Sequence, residues 1–147
     1  RVAERIKNSF PFVNIVFGTH VIHRLPEMMY TAVTDSKRIF VRGEERKEII
    51  EGLPVRRDGK SRAWVTVMYG CDNFCTYCVV PYVRGRERSR KSADIIAEFK
   101  QIVAEGYKDI TLLGQNVNSY RTGEVDFPEL LKQVADISPL LRVRFAT

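Results

Sequence analysis

"AWVTVMYGCDNFCTYC" occupies residues 63–78, and its two halves are of different kinds. The first seven residues are almost wholly apolar, the mark of a strand buried on both faces, as in a parallel sheet covered by helices. The rest is a loop that holds all three cysteines of the chain, Cys71, Cys75 and Cys78, spaced C-x3-C-x2-C among the polar residues Asp72, Asn73 and Thr76. A strand running directly into such a loop puts thiols at its carboxyl end, the edge where α/β folds collect ligands.

Downstream the pattern alternates. Ser92 is placed to cap a helix whose apolar positions Ile95, Ile96, Phe99, Ile102 and Val103 form one stripe, and Gly106 stops it. "DITLL" (109–113) reads as the next strand, Pro128 stands near the start of a helix carrying Leu130, Leu131, Val134 and Ile137, and "LRVRFA" (141–146) begins a third strand. Strand, helix, strand, helix, strand predicts a parallel α/β order. The cysteine loop, "GQNVNSY" (114–120) and Thr147 then converge on one edge.

Upstream, residues 2–8 read as a helix end, 13–18 as a short strand and 21–32 as an amphipathic helix, punctuated by Pro11 and Gly18. From 34 to 62 the period is lost and charge rises, with Gly43, Gly52, Pro54 and Gly59 interspersed. That segment is expected to be a linker with one short helix at "EERKEII" (44–50). No repeats or low-complexity tracts occur.

At 147 residues, 44% hydrophobic and 29% charged, the composition suits one ordinary water-soluble core. The longest apolar runs fall far below the roughly 20 residues of a spanning helix. No basic and apolar leader opens the chain, and three cysteines cannot all pair. A reducing, cytoplasmic setting without membrane attachment is expected, with the cysteines held as thiolates. The net charge of +6 is concentrated in "RRDGKSR" (56–62) and "RGRERSRK" (84–91), which flank the cysteines and leave the remainder close to neutral. Such stretches are solvated surface or a phosphate-binding face beside a reactive centre.

Three thiolates admit two metal readings. Zinc could take them with His20 or His23, although structural zinc usually grips two knuckles from opposed turns. A cubane iron–sulfur cluster normally takes four thiolates, so three leave one iron open to an exogenous ligand, which implies chemistry.

The cysteine loop, with aromatic Tyr77 directly before its last thiol, resembles the radical S-adenosylmethionine signature. "VTVMYGCDNFCTYCVVPYVRGRERSR" (65–90) and "LLGQNVNSY" (112–120) are similar to the tRNA methylthiotransferases of the MiaB family, and "FVNIVFGTHVIHRLPE" (12–27) to the end of that family's N-terminal domain. The resemblance covers essentially the whole chain, with residues 35–60 weakest. It implies an α/β protein: the C-terminal part of the methylthiotransferase domain in 1–34, a linker in 35–60, and the N-terminal half of a partial (β/α) radical barrel in 61–147.

It further implies a 4Fe–4S cluster on Cys71, Cys75 and Cys78 whose open iron binds S-adenosylmethionine, and modification of adenine C2 in isopentenyl-adenosine beside the anticodon. Related subfamilies act on threonylcarbamoyl-adenosine or on a ribosomal-protein aspartate, and "GQNVN" favours the first substrate. A second cluster, with ligands preceding Arg1, a sulfur donor, and an electron donor such as flavodoxin or ferredoxin complete the implied monomeric enzyme, of which this chain is an internal fragment expected to be inactive alone. A zinc-stabilised RNA-binding module without catalysis is the competing class.

Gly114, Gln115 and Asn116 stand where many radical enzymes bind the methionine ammonium, and an amide oxygen can accept that bond. The alternative is a turn whose Gly and Asn serve only geometry. Tyr77 and Tyr82 either stack on adenine or pack in the core. Arg84, Arg86, Arg88 and Arg90 are candidate tRNA phosphate contacts, with the cofactor carboxylate or a nearby acid such as Glu87 as other partners. Gly85 is expected to permit close backbone approach. One of His20 and His23 is expected to satisfy a buried carbonyl.

Overall fold

The computed structural model describes residues 2–41, 49–57, 59 and 61–146, arranged in two compact units, Arg1–Glu48 and Ile49–Thr147. The short helix expected at 44–50 lies largely outside the described residues, as does Thr147.

In the first unit, α1 (Val2–Ser9) leads to β1 (Ile15–Phe17), a 3-10 turn (Thr19–Arg24), α2 (Leu25–Thr34) and β2 (Ile39–Val41). The amphipathic helix begins four residues later than its periodicity suggests, because Pro26 suits a first turn and residues 19–24 wind as 3-10. β2 pairs in parallel with β1, Ile15 opposite Ile39, although this segment reads as linker. Arg38 fixes the return: its guanidinium donates to the carbonyls of Lys7 (2.8 Å), Phe10 (2.9 Å) and Val13 (2.9 Å), tying the last turn of α1 to the segment that follows it.

The second unit is built on a three-stranded parallel sheet, β3 (Arg62–Thr66), β6 (Asp109–Leu113) and β9 (Arg142–Phe145), ordered β3-β6-β9. Between β3 and β6 come β4 (Met68–Tyr69), α3 (Val80–Arg84), β5 (Arg88–Ser89) and α4 (Ser92–Ala104). Between β6 and β9 come a 3-10 turn (Val117–Ser119), the small ladder of β7 (Arg121–Thr122) with β8 (Val125–Asp126), and α5 (Phe127–Ala135). The helices are crossovers between parallel strands, so the carboxyl ends of the strands share one edge.

Alternation along the strands sets the core. Ala63, Val65, Ile110 and Leu112 are buried with Ile95, Phe99 and Ile102 of α4 and Leu130 and Val134 of α5. Each of the larger side chains contributes about 1.5–3 kcal/mol. The other sheet face is open: Trp64 is 56% exposed, so β3 is not buried on both faces as its apolar run suggests. Here Asp109 gathers Arg62, Arg142 and Arg144, and the hydrogen bond and charge of Arg144 hold its carboxyl below the usual range.

The seven-residue strand is also broken. Val67 leaves the parallel ladder, its N–H still donating to Leu113, and β4 turns away to pair antiparallel with β5. One helix start departs from the sequence reading, and the other follows it, with Pro128 in the first turn of α5. Ser92 is the first helical residue of α4, following an extended Lys91, and makes no capping bond. α5 is capped by Asp126, whose carboxylate accepts from the Glu129 N–H at 3.0 Å.

Candidate functional site

The cysteine loop leaves the sheet edge through a closed stem. β4 and β5 pair Met68 with Ser89 and Tyr69 with Arg88; below them Arg90 N–H donates to the Val67 carbonyl (2.9 Å), and above them Cys71 N–H donates to the Gly85 carbonyl (3.2 Å). Gly70 makes this crossing possible. Its φ is +76°, and a Cβ there would collide with the main-chain carbonyls of Gly85 and Arg86. The close approach expected at Gly85 therefore occurs at Gly70, while Gly85 supplies only its own positive φ of 78°.

Side chains lock the base. Gly70 N–H donates to Gln115 Oε1 at 2.7 Å, joining the cysteine loop to the segment after β6. Arg90 is 8% exposed and donates to Glu51 Oε1 (2.7 Å) and Oε2 (2.5 Å), Glu98 Oε2 (2.8 Å) and the Thr66 carbonyl (2.6 Å). Burial opposes the charge on Arg90, but the hydrogen bonds and charges of Glu51 and Glu98 outweigh it and raise its pKa. The Arg90 carbonyl accepts from the Tyr120 hydroxyl (2.9 Å), which burial pushes up to about 12 against a weaker opposing pull from Arg90.

The tip is open by contrast. Cys71 is buried at its foot, Cys75 is exposed and Cys78 half-buried, all as free thiols. Cys78 N–H donates to the Cys75 carbonyl (2.9 Å), a tight turn just ahead of α3. Phe74 has a left-handed φ of +47°, uncommon for an aromatic residue, and is held from two sides. Its ring meets Tyr82 of α3 edge-on at 5.7 Å, and the Arg86 guanidinium lies 4.7 Å from its centroid. Arg86 also reaches Asp72 at 3.4 Å, and Glu87 accepts from the Asp72 N–H and from Asn116 Nδ2, both at 3.4 Å. Tyr77 is 94% exposed and Tyr82 77%, so neither packs in the core.

The expected site residues separate accordingly. Residues 71–78 and 114–116 are brought together at the carboxyl edge. Gly114 faces Met68 and Val117, where a Cβ would clash with the Met68 side chain, and Gln115 already spends an acceptor site on the loop's backbone. Arg84 and Arg86 are exposed, and Arg88 is half-buried with a guanidinium donating to the Arg84 carbonyl (3.4 Å). Arg90 is different: buried and saturated by carboxylates, it cannot meet a phosphate. The basic stretch at 56–62 is engaged in part, with Arg56 and Arg62 exposed and Arg57 half-buried. Arg57 pairs with Glu98 (3.0 Å) and Glu105 (3.9 Å), Arg62 pairs with Asp109, and Asp58 and Lys60 lie outside the described residues. His20 satisfies no carbonyl through Nε2, which is buried without a hydrogen-bond partner among the described residues. The roles of Glu51 and Glu98 escaped the sequence reading, since nothing in an aperiodic segment marks an acid that will meet an arginine 39 residues away.

Residues 65–147, from the middle of β3 onward, match the family profile described as the Radical SAM superfamily. The chain belongs to that superfamily. It is also 54% identical over 99% of its length to the tRNA-2-methylthio-N(6)-dimethylallyladenosine synthase of Desulforamulus reducens, covering 32% of that protein. The proteins of the same name from Carboxydothermus hydrogenoformans and Clostridium perfringens are 51% and 50% identical, over 100% and 99% of this chain and 34% and 33% of theirs. The chain thus spans about a third of the length of these curated relatives.

Membership in the Radical SAM superfamily implies an iron–sulfur cluster and S-adenosylmethionine. The donor set here fits such a group by its chemistry: three free, soft thiols in one loop, while the loop's carboxylates Asp72 and Glu87 are engaged with Arg86, Asn116 and backbone N–H groups. Among the described residues, no group of three or more His, Cys, Asp or Glu side chains is gathered so as to hold a metal ion. Nor is any described helix long and apolar enough to cross a membrane.

Proposed function

We propose that this chain is part of a cytoplasmic radical methylthiotransferase that adds a methylthio group to C2 of N6-isopentenyladenosine next to the anticodon of tRNA. Cys71, Cys75 and Cys78 would hold a 4Fe–4S cluster with one iron left for S-adenosylmethionine. When bound, that pair supplies the one-electron chemistry needed at an unactivated C–H bond. The observation that carries the reading is the three-thiol loop at the carboxyl edge of a parallel sheet, tied by Gly70 to Gln115, in a chain half identical to synthases of that name.

The chain's own residues divide the work. Gln115 and Gly114 fix the loop's entry, and Asn116 is oriented by Glu87 beside it. Tyr77, exposed next to Cys78, is free to lie against a cofactor or base. Arg84, Arg86 and Arg88 provide positive charge for tRNA phosphates, whereas Arg90 holds the loop's base. In this reading residues 1–34 close a preceding methylthiotransferase domain, 35–60 connect, and 61–147 begin a radical barrel. A second cluster, an electron donor such as flavodoxin or ferredoxin and a sulfur donor belong to the longer, monomeric enzyme.

The test is anaerobic reconstitution of the full-length protein with iron and sulfide, then incubation with isopentenylated tRNA, reductant, sulfide and S-adenosylmethionine. Mass analysis of the digested RNA is expected to show the methylthio nucleoside. Its absence, with modification of threonylcarbamoyl-adenosine or a ribosomal protein instead, would move the chain to a sister subfamily. Tight zinc with no visible absorption would overturn the radical reading altogether.

A further inference from the structure

We propose that Arg90 is a positioning residue that couples the strap 49–57 to the cysteine loop, so that the loop's stem keeps its shape only while the strap is seated. The proposal rests on the radical role assigned to that loop. Arg90 is the last residue of the stem. Its N–H closes the ladder on Val67, its carbonyl holds Tyr120, and its guanidinium joins three further elements: the end of β3 through the Thr66 carbonyl, α4 through Glu98, and the strap through both oxygens of Glu51.

The strap is clasped at its other end by the same device. Arg57 pairs with Glu98 Oε1 at 3.0 Å, and Glu98 Oε2 belongs to Arg90. Charges alternate along the chain Glu51, Arg90, Glu98, Arg57, Glu105. Between the two clasps, Leu53, Pro54 and Val55 are exposed and line a cleft of about 830 Å3 with Trp64 and Tyr69, so little apolar burial holds the strap down. Ion pairs do that instead. Lifting Glu51 away removes two of the guanidinium's four hydrogen bonds and opens Arg90 to the cleft it lines, so the last residue of the stem is held less firmly. Lysine cannot substitute, since a point charge cannot make the two parallel bonds to Glu51 while also reaching Thr66 and Glu98.

Hydrogen exchange on the full-length protein, with and without its cluster, tests this in Glu51→Gln and Arg90→Lys variants. Amides in 67–78 and 85–90 are expected to exchange about tenfold faster in both variants, the equivalent of one charge-assisted hydrogen bond, while β6 and α5 keep their rates. At matched iron content, the reduced cluster's electron paramagnetic resonance signal in the variants should respond differently to S-adenosylmethionine than in wild type. Unchanged exchange around the loop overturns the coupling, and so does an equal rise throughout β6 and α5, which marks Arg90 as a general structural residue. If Arg90→Lys does not fold, Glu51→Gln decides alone. A wild-type protein that takes up no cluster defeats the radical reading, yet the exchange rates still decide the coupling.

Discussion

At the base of the cysteine loop, Arg90 is buried and makes four short hydrogen bonds; at the tip, Arg86 has a side chain 69% exposed, one contact of 3.4 Å to Asp72 and a ring beneath it. The two arginines are four residues apart in one basic run. Base and tip differ because the stem returns the chain to the sheet between them, so one end of the run is governed by the core and the other by solvent. A charge at the base serves folding geometry, and a charge at the tip is available to a partner.

The largest effect should come from the thiols. Replacing any one of Cys71, Cys75 or Cys78 with Ala in the full-length enzyme is expected to abolish cluster-dependent cleavage of S-adenosylmethionine, because two thiolates do not hold a cubane with one open iron. Thermal melts of the cluster-free variants sharpen the comparison: Cys75→Ala at the tip should lie within about 0.5 kcal/mol of wild type, and Cys71→Ala at the foot should lose more. A single variant with full cleavage activity would remove the cluster assignment.

Next comes Gly70→Ala, which puts a Cβ into two carbonyl groups at a positive φ. A loss of about 3 kcal/mol in chemical denaturation is expected, from strain and overpacking together. A loss below about 0.5 kcal/mol would show that the stem yields easily and that base and tip are less distinct than their burial implies.

Tyr120 tests the base by pH. Its hydroxyl titrates at about 12 in the folded protein against an ordinary value of 10.0. Below pH 10 the neutral form is present in both folded and unfolded chains, so its contribution is complete there. Between pH 10 and 12 the unfolded chain ionises first, and roughly 2–3 kcal/mol of stability should be lost. Tyr120→Phe should lose about 1 kcal/mol at neutral pH with the bond to the Arg90 carbonyl, then show a flatter alkaline decline. Identical alkaline slopes would contradict the burial of this group.

The smallest effect on folding belongs to the tip. Arg86→Glu should change stability by less than about 0.5 kcal/mol, since the pair with Asp72 is exposed and long. The salt dependence of tRNA binding by the full-length protein should nonetheless flatten by about one unit of slope. An unchanged slope, or a large loss of stability, would erase the distinction drawn between Arg86 and Arg90.

Much of this was legible in the sequence where period and chemistry agree. The presence and order of β3, β6, β9, α4 and α5 follow from short apolar runs and helical stripes, although the run in β3 hides its open face, and the thiol spacing marks the loop. Three features were hidden for different reasons. The break at Val67 is invisible because valine suits either side of it. β2 is three residues in a charged, glycine-punctuated segment, and its partner strand lies 24 positions earlier. The fate of Arg90 depends on Glu51, in a stretch without any period. One signal was present and unused: Asp126 with Glu129 three residues on is a capping pattern.

Trp64 is the single tryptophan of this 147-residue chain, and the cleft it lines is bounded by the strap residues Ile50, Leu53, Pro54 and Val55. The chain therefore carries its own fluorescent reporter, with no label to attach and no second indole to confuse the signal. An indole beside aliphatic groups emits to the blue of one surrounded by water. Emission wavelength and quenching by iodide thus read, in real time and in dilute solution, whether the segment leading into the radical unit lies against the sheet.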